Sequence, residues 1–503
     1  MACMDYKKLK SGTDIRGTAM ETEAEGPVQL TDPVVEAIAR GFLCWCAKRL
    51  GKPASRLQIA LGRDSRLSGP RILEALCRAF TAHGAQCLDC GLASTPSMFM
   101  AVLDLPCDCA VQVTASHHPC HRNGLKFFTK EGGLDGPDVG EILEMAQQGA
   151  SPEEAPGGAR KACAHMDQYA AHLREIIKTG IGAADYEHPL AGFKIAVDAG
   201  NGAGGFYASQ VLAPLGADVS GSQFLDPDGR FPNHIPNPEN AAAMESASRM
   251  VVESGADLGL IFDTDVDRAG VVDRQGREIN RNRLVAIASA IALEKAPGGT
   301  VVTDSITSDG LHHYIEATLG GVHRRFQRGY KNVINEAQRL NALGVDCPLA
   351  METSGHAALR ENHFLDDGAY LVTKILIKMA ALKQEGKDLE DLLAPLEEPV
   401  EAVEVRVPIV EEDFRARGSQ VIGELEAYAK AQGWAIAPDN FEGIRVSFPA
   451  GEGEGWFLVR LSVHDPILPI NVESNAAGGA AVIREKLRAF FTAHNQGLDC
   501  GAL

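Results

Sequence analysis

Two short stretches concentrate the side chains able to do chemistry. In LIFDTDVDRAGVVD, Asp263, Asp265 and Asp267 stand at alternate positions directly after an apolar run. Three carboxylates that close repel one another unless a hard cation neutralises them, and a set of oxygen donors suits Mg²⁺. An EF-hand calcium loop would continue with a glycine and a distant glutamate between helices, which this stretch does not do. In VTASHHPCHRNGLKFF, residues 113–128, Ser116 precedes His117 and His118, and Lys126 follows ten residues on. A serine hydrolase would set its nucleophile in Gly-x-Ser-x-Gly at a strand-to-helix elbow, and neither the glycines nor the elbow is present. Neighbouring histidines on extended chain point to opposite faces, so only one of the pair could face a given zinc ion. What remains is a serine that carries phosphate, its charge offset by the metal, with Lys126 supplying a cation.

These side chains need a frame. Three times an apolar strand runs into a loop rich in Asp, Ser and Gly and then into a helical pattern: LQIALGRDSRLSGPRILEALCRAF near 57, KIAVDAGNGAGGFYASQVLAPLG near 194 and TVVTDSITSDGLHHYIEATLG near 299. Such alternation predicts parallel strands covered on both faces, with ligands at the loops beyond the strand C-termini. After LLAPLEEPVEAVEV (392–405) the pattern changes to short strands, VEVRVPIV, IRVSF, WFLVRLSV and ILPINV, closed by the helix AAVIREKLRAFFTAH. The chain of 503 residues exceeds what one core can fill. The expected architecture is therefore α/β: three related α/β domains with mixed, mostly parallel sheets (1–185, 186–296 and 297–398) plus a smaller C-terminal α+β domain (399–503), around a central active-site cleft.

Composition narrows the function. An apolar fraction of 45%, 23% charged residues and 52 glycines are those of a soluble α/β protein. The net charge of -19 repels nucleic acid and anionic membranes, so any phosphate must be held by a local cluster of Arg, Lys and backbone N–H. The expected partners are small molecules, with no nucleic acid and no membrane, and the chain acts as a monomer or homodimer. No apolar run approaches the roughly 20 residues of a membrane span, and MACMDYKKLKSGTDIRG lacks a signal-peptide core, which predicts a soluble intracellular protein of cytoplasm or plastid stroma. The 12 cysteines then read as reduced thiols, and the Cys87/Cys90 and Cys107/Cys109 pairs, in apolar strand-like text, as buried ones. Gly200, Gly202 and Gly205, with Asp226 beyond, spell the dinucleotide fingerprint, so an NAD-linked oxidoreductase is the rival reading.

TASHHPCHRNGLKFF resembles the phosphoserine loop of the α-D-phosphohexomutases, DTDVDR resembles their magnesium loop and METSGH their sugar loop. SGTDIRG and RLSVHDP resemble their N-terminal arginine loop and C-terminal phosphate-binding loop, so the likeness keeps the family's order over almost the whole chain, in four domains. The sugar loop is closest to the phosphomannomutase/phosphoglucomutase branch, and TASHHP and RLSVHDP are similar to divergent plant and algal members. The resemblance implies interconversion of hexose 1-phosphate and hexose 6-phosphate, of glucose or mannose, through a phosphorylated Ser116 and a hexose 1,6-bisphosphate that also serves as activator. It implies Mg²⁺ held by Asp263, Asp265, Asp267 and an oxygen on Ser116, with Arg16, His117, Lys126 and Arg268 around the transferring group. Glu352 and Ser354 would bond sugar hydroxyls beside His356. Arg445, Arg460, Ser462 and His464 would clamp the other phosphate, and Tyr330 and Lys331 would join a substrate loop. The chain departs from the family at His118 (usually Asn), Met351 (usually Gly) and His464-Asp465 (usually Thr-Glu), and its N-terminal loop is one Gly short. A phosphoglucosamine mutase and a non-catalytic sugar-phosphate binding protein therefore stand as alternatives.

Overall fold

The computed structural model describes residues 5–22, 26–462, 465–501 and 503. It divides into two compact units, Met1–Leu284 with Ser354–Asp391, and Val285–Thr353 with Leu392–Leu503.

In the first unit an eight-stranded sheet runs Lys10–Ser11, Asp14–Thr18, Arg122–Thr129, Cys109–Val113, Gln58–Arg63, Gln86–Leu92 and Ala159–Ala162, with Gly132–Gly133 alongside Arg122–Thr129. Gln58–Arg63 is parallel to Cys109–Val113 and to Gln86–Leu92, as the strand–helix alternation predicts. Cys109–Val113 is buried along its whole length, which explains why CAVQV carries no polar-apolar alternation. The Cys87, Cys90, Cys107 and Cys109 thiols are buried. Cys109–Val113 then pairs antiparallel with Arg122–Thr129, Val113 opposite Leu125 and Gln112 opposite Lys126. The segment bearing Ser116 is thus the connection between two antiparallel strands at the end of the sheet. Glycine is required at 124, where a Cβ would lie 2.3 Å from the Ile15 carbonyl oxygen and 2.7 Å from that of Thr114. That close approach sets Arg16 opposite Gly124 in the next strand, two positions from Lys126.

The second sheet of this unit, Ile195–Asp198, Leu258–Phe262, Ala269–Asp273 and Glu278–Ile279, departs from the mostly parallel expectation: only its first pair is parallel. Phe262 pairs with Ala269, so residues 263–268 are the loop of a β-hairpin rather than a strand-to-helix connection. The Gly200 stretch packs on that hairpin. A Cβ on Gly202 would sit 2.6 Å from the Thr264 carbonyl oxygen, one on Gly205 2.3 Å from that of Leu225, and Ala203 N donates to Thr264 O at 2.8 Å. The helical segment that follows runs from Gly205 through a π-helical stretch, Tyr207–Leu212, into a short 3₁₀ turn holding Pro214. The dinucleotide reading of Gly200, Gly202 and Gly205 is therefore corrected: Gly202 and Gly205 admit neighbouring backbone, and Gly200, at φ of 51°, faces Pro236, so the space beside this loop is taken by protein.

In the second unit Thr300–Asp304 lies parallel to Val322–Phe326 and to Leu349–Met351. Glu401–Pro408, Ile467–Ser474, Gly455–Val459, Ile444–Phe448 and Ala435–Ile436 form an antiparallel sheet. Its buried face joins Val421 and Leu425 of helix Phe414–Ala431 and Ile483, Leu487 and Phe490 of helix Gly479–Ala493 in one apolar cluster. This matches the α+β pattern expected for 399–503, where alternate residues of VEVRV face that core.

Candidate active site

Ser116 is buried and holds φ of 50°, a left-handed conformation that costs a non-glycine residue about 1–3 kcal/mol and persists only where the surroundings over-determine it. Its N–H donates to Thr114 Oγ1 (2.9 Å), whose hydroxyl donates to Asp64 Oδ2 (2.8 Å). Its Oγ donates to Asp263 Oδ2 at 3.1 Å, accepts from Arg268 Nη2 at 2.8 Å and lies 3.3 Å from His117 Nδ1. Arg268 Nη2 also meets His117 Nδ1; a guanidinium only donates, so that nitrogen accepts and the ring proton sits on Nε2. Burial, then the charges of Arg268, His118 and Arg16, push the His117 pKa far down, so the ring is neutral at physiological pH. His118 is pushed down to about 3 by burial and by Arg16, Arg122 and Arg66.

The 263–268 hairpin loop turns through Val266 at φ of 69°, a strained position for a β-branched residue. Asp263, Asp265 and Asp267 are fully buried, and one oxygen of each lies within 4.8 Å of the others. Thr95 Oγ1 donates to Asp265 Oδ2 (2.5 Å), while Asp265 Oδ1 and Asp267 Oδ1 are buried without a hydrogen-bond partner among the described residues. Burial and the charges of Asp267 and Asp265 push the Asp263 carboxyl well up, against Arg268 and Lys126. Asp267 behaves oppositely: burial works against its charge, but Lys126, His356 and Arg268 hold it below the usual range. Orphaned, hard oxygen donors in mutual repulsion fit Mg²⁺.

Around this pair of loops the first unit gathers most of the residues singled out from sequence. Lys126 Nζ pairs with Asp267 and lies 3.7 Å from Asp265 Oδ2. Arg16 pairs with Asp14 at 2.8 Å, and its charge reaches His117 and His118. His356 Nδ1 bonds Asp366 Oδ2 at 2.6 Å and lies 3.9 Å from Asp267 Oδ1. Burial disfavours the His356 cation, yet Asp366 and Asp267 raise its pKa. Ser354 is buried, with an Oγ that has no hydrogen-bond partner among the described residues. Asp64, Arg66, Thr95, Thr114 and Asp366, which support these groups, were not singled out from sequence.

The second unit holds the rest. Buried Glu352 accepts from Gly329 N at 2.7 Å, next to Tyr330 and Lys331 at the start of helix Tyr330–Ala342. Arg460 lies 3.6 Å from Glu442, whose other oxygen accepts from Arg328 N (2.9 Å) and Ser305 Oγ (2.7 Å). Ser462 Oγ accepts from Asp465 N at 3.2 Å, and its N–H donates to Ile467 O. His464 lies outside the described residues.

Arg445, expected at the phosphate clamp, has its guanidinium 3.5 Å over the Trp456 ring and donates to Ser305 O and Thr307 O (3.1 Å each) and Asp309 Oδ1 (2.8 Å). It stands second in the buried strand Ile444–Phe448, with its charge met by protein acceptors. Arg445→Ala is expected to cost about 1–3 kcal/mol by leaving the buried Ser305 and Thr307 carbonyls without their donor. The melting temperature should fall while the KM for sugar phosphate stays within about twofold, because one lost clamp contact would instead raise KM; thermal melts and steady-state kinetics on the folded fraction distinguish the two.

The fold and the first-unit cluster define an α/β phosphotransferase. Residues 7–152, 167–276 and 280–399 match phosphoglucomutase/phosphomannomutase alpha/beta/alpha domains I, II and III in turn. Among relatives, a phosphoglucomutase of Neisseria meningitidis serogroup A is 31% identical over 477 residues, 95% of either chain. A phosphomannomutase/phosphoglucomutase of Pseudomonas syringae is 29% identical over 435 residues, 86% of either. The crystal structure of a phosphoglucomutase/phosphomannomutase family protein from Burkholderia thailandensis superposes with a TM-score of 0.80 at 25% identity, covering 99% of both chains. The chain belongs to the phosphoglucomutase/phosphomannomutase family. It is a phosphohexomutase, an isomerase that moves a phosphoryl group within a sugar phosphate.

Proposed function

We propose that this chain interconverts the 1- and 6-phosphates of glucose and mannose through a phosphoryl group carried on Ser116 and a hexose 1,6-bisphosphate. The observation that carries the reading is the Ser116 oxygen itself, bonded at once by Arg268 and to Asp263 of the acidic loop. Phospho-Ser116 gives its phosphoryl group to a free hydroxyl of the hexose monophosphate: the O–P bond to serine breaks as the O–P bond to the sugar forms. The bisphosphate then turns over and returns its other phosphoryl group to Ser116. Bound Mg²⁺, held by Asp263, Asp265, Asp267 and an oxygen on Ser116, would offset charge on the group in transfer. Arg268, Arg16 and Lys126 stabilise that charge, Lys126 assists the proton transfer that accompanies it, and neutral His117 accepts from Arg268 and so fixes its orientation.

Glu352 and Ser354 take the sugar hydroxyls at C3 and C4 beside His356, Tyr330 and Lys331 line the substrate loop, and Arg460, Ser462 and His464 hold the phosphate that does not react. In this reading 1–185, 186–296, 297–398 and 399–503 act as four domains, a hexose 1,6-bisphosphate primes unphosphorylated enzyme, and the chain works as a monomer or homodimer in cytoplasm or plastid stroma. Among the described residues no helix is long and apolar enough to cross a membrane.

Positions 3 and 4 are alike in glucose and mannose, and a position that is not read contributes little to specificity. With a hexose 1,6-bisphosphate present, kcat/KM for glucose 1-phosphate and mannose 1-phosphate should agree within about tenfold, with glucosamine 6-phosphate poorer. Glu352→Ala should lower both hexose activities alike, by about 10- to 100-fold, the worth of a charged hydrogen bond. Glucosamine 6-phosphate as the best substrate would move the chain to phosphoglucosamine mutases. Sugar-phosphate binding without turnover would make it a binding protein.

A further inference from the structure

Arg66, in the GRDSR stretch that ends the strand Gln58–Arg63, is fully buried. Its Nε donates to Asp64 Oδ2 (3.1 Å), its Nη1 to the carbonyls of Pro119 (2.7 Å) and Arg122 (2.9 Å), and its Nη2 to those of His118 (2.6 Å) and Ser116. Five acceptors thus meet the five N–H donors of one guanidinium. Four of them are main-chain oxygens of the loop that carries Ser116. The second sheet's side of the unit closes over this centre: Phe231 lies with its ring 5.2 Å from the guanidinium carbon. At Gly229 a Cβ would fall 2.4 Å from Ser65 O and 2.7 Å from Arg66 Cα.

We propose that Arg66 is a positioning residue for phosphoryl transfer, setting the left-handed turn at Ser116 by drawing the four carbonyls of the 116–122 loop onto its fork. The inference rests on the reading that Ser116 carries the phosphoryl group. Asp64 joins the two halves of the device, since one of its oxygens accepts from Arg66 Nε and from Thr114 Oγ1, and Thr114 Oγ1 in turn accepts the Ser116 N–H. In a trans peptide the N–H points opposite the C=O, so with the Ser116 carbonyl turned to Arg66 the His117 N–H faces away. That N–H makes no hydrogen bond among the described residues and is left for the oxygens of a phosphoryl group on Ser116. No lysine reproduces the arrangement, because an ammonium has three donors on a flexible stem.

The test compares the full-length wild type with Arg66→Lys, which keeps the charge beside Asp64. Expected are a kcat lower by about 100-fold, the scale of a small misplacement of a reacting group, and a KM for glucose 1-phosphate within about threefold. The rate at which Ser116 gains phosphate from glucose 1,6-bisphosphate, followed by intact mass, should fall by a similar factor. Wild-type turnover and loading in folded Arg66→Lys overturn the role of Arg66. A wild type that never gains phosphate at Ser116 sinks the phosphoserine reading instead, and the inference with it. Should Arg66→Lys not fold, Asp64→Asn takes its place: it frees the guanidinium from its carboxylate and should slow loading and kcat about tenfold with KM kept. Unchanged loading and kcat in that variant overturn the proposal equally.

Discussion

Ser116→Ala is expected to lower kcat by at least about four orders of magnitude and to remove the single phosphate that intact-mass analysis should find on the wild-type chain. The Ser116 Oγ is the atom on which the charged groups converge: Arg268 donates to it and it donates to Asp263. Alanine leaves those two charges facing each other, since Arg268 Nε already lies 3.3 Å from Asp263 Oδ2. The fold therefore keeps its ion pair, and the loss is one of chemistry. A melting temperature close to wild type separates this outcome from unfolding. A variant that retains both its turnover and its phosphate removes the assignment.

The parts of this site that were legible in the sequence are those whose information is local. Three aspartates at alternate positions, or a serine ten residues before a lysine, declare their chemistry by type and spacing. Groups acting through main-chain atoms do not. Four of the five acceptors of Arg66 are carbonyls 50 and more residues further along the chain, and a carbonyl leaves no signature in residue type. Asp366 is silent for the same reason: its role is given by His356, ten residues before it, only after the hairpin Ala357–Leu359 with Leu365–Asp366 has formed.

Where the sequence misled, tertiary packing decided. Gly202 and Gly205 complete the fingerprint because backbone from the acidic hairpin and from Leu225 must pass where side chains would be, while Gly200 holds φ of 51° against Pro236. Arg445 lies in the strand Ile444–Phe448 against Trp456 and Asp309, contacts that its residue type alone does not declare. The α/β alternation read correctly for the first sheet. In the second it read the parallel pair Ile195–Asp198 and Leu258–Phe262, but FDTDVDRA gives no local sign that the chain then doubles back as a hairpin.

The acidic loop leads to the second large effect, with opposite signs for activity and for stability. Asp263 is fully buried, and its carboxyl is pushed well up by burial and by Asp267 and Asp265, so its charge opposes folding until a cation joins it. Asp263→Asn removes that charge at nearly constant shape and leaves an amide that can still meet Ser116. In chelator the variant should therefore melt higher than the wild type. Adding Mg²⁺ should raise the wild-type melting temperature and move that of the variant far less, because a ligand stabilises only in proportion to its binding. Turnover should run the other way, falling by about 1,000-fold or more with KM little changed, since the cation acts on charge that develops during transfer. Asp267→Asn should lose as much activity without gaining the same stability. Asp267 is held ionised by Lys126, His356 and Arg268, and removing its charge strands the buried Lys126 ammonium. Wild-type activity in excess chelator, or equal Mg²⁺-induced melting shifts in wild type and Asp263→Asn, would show that this loop does not hold the metal.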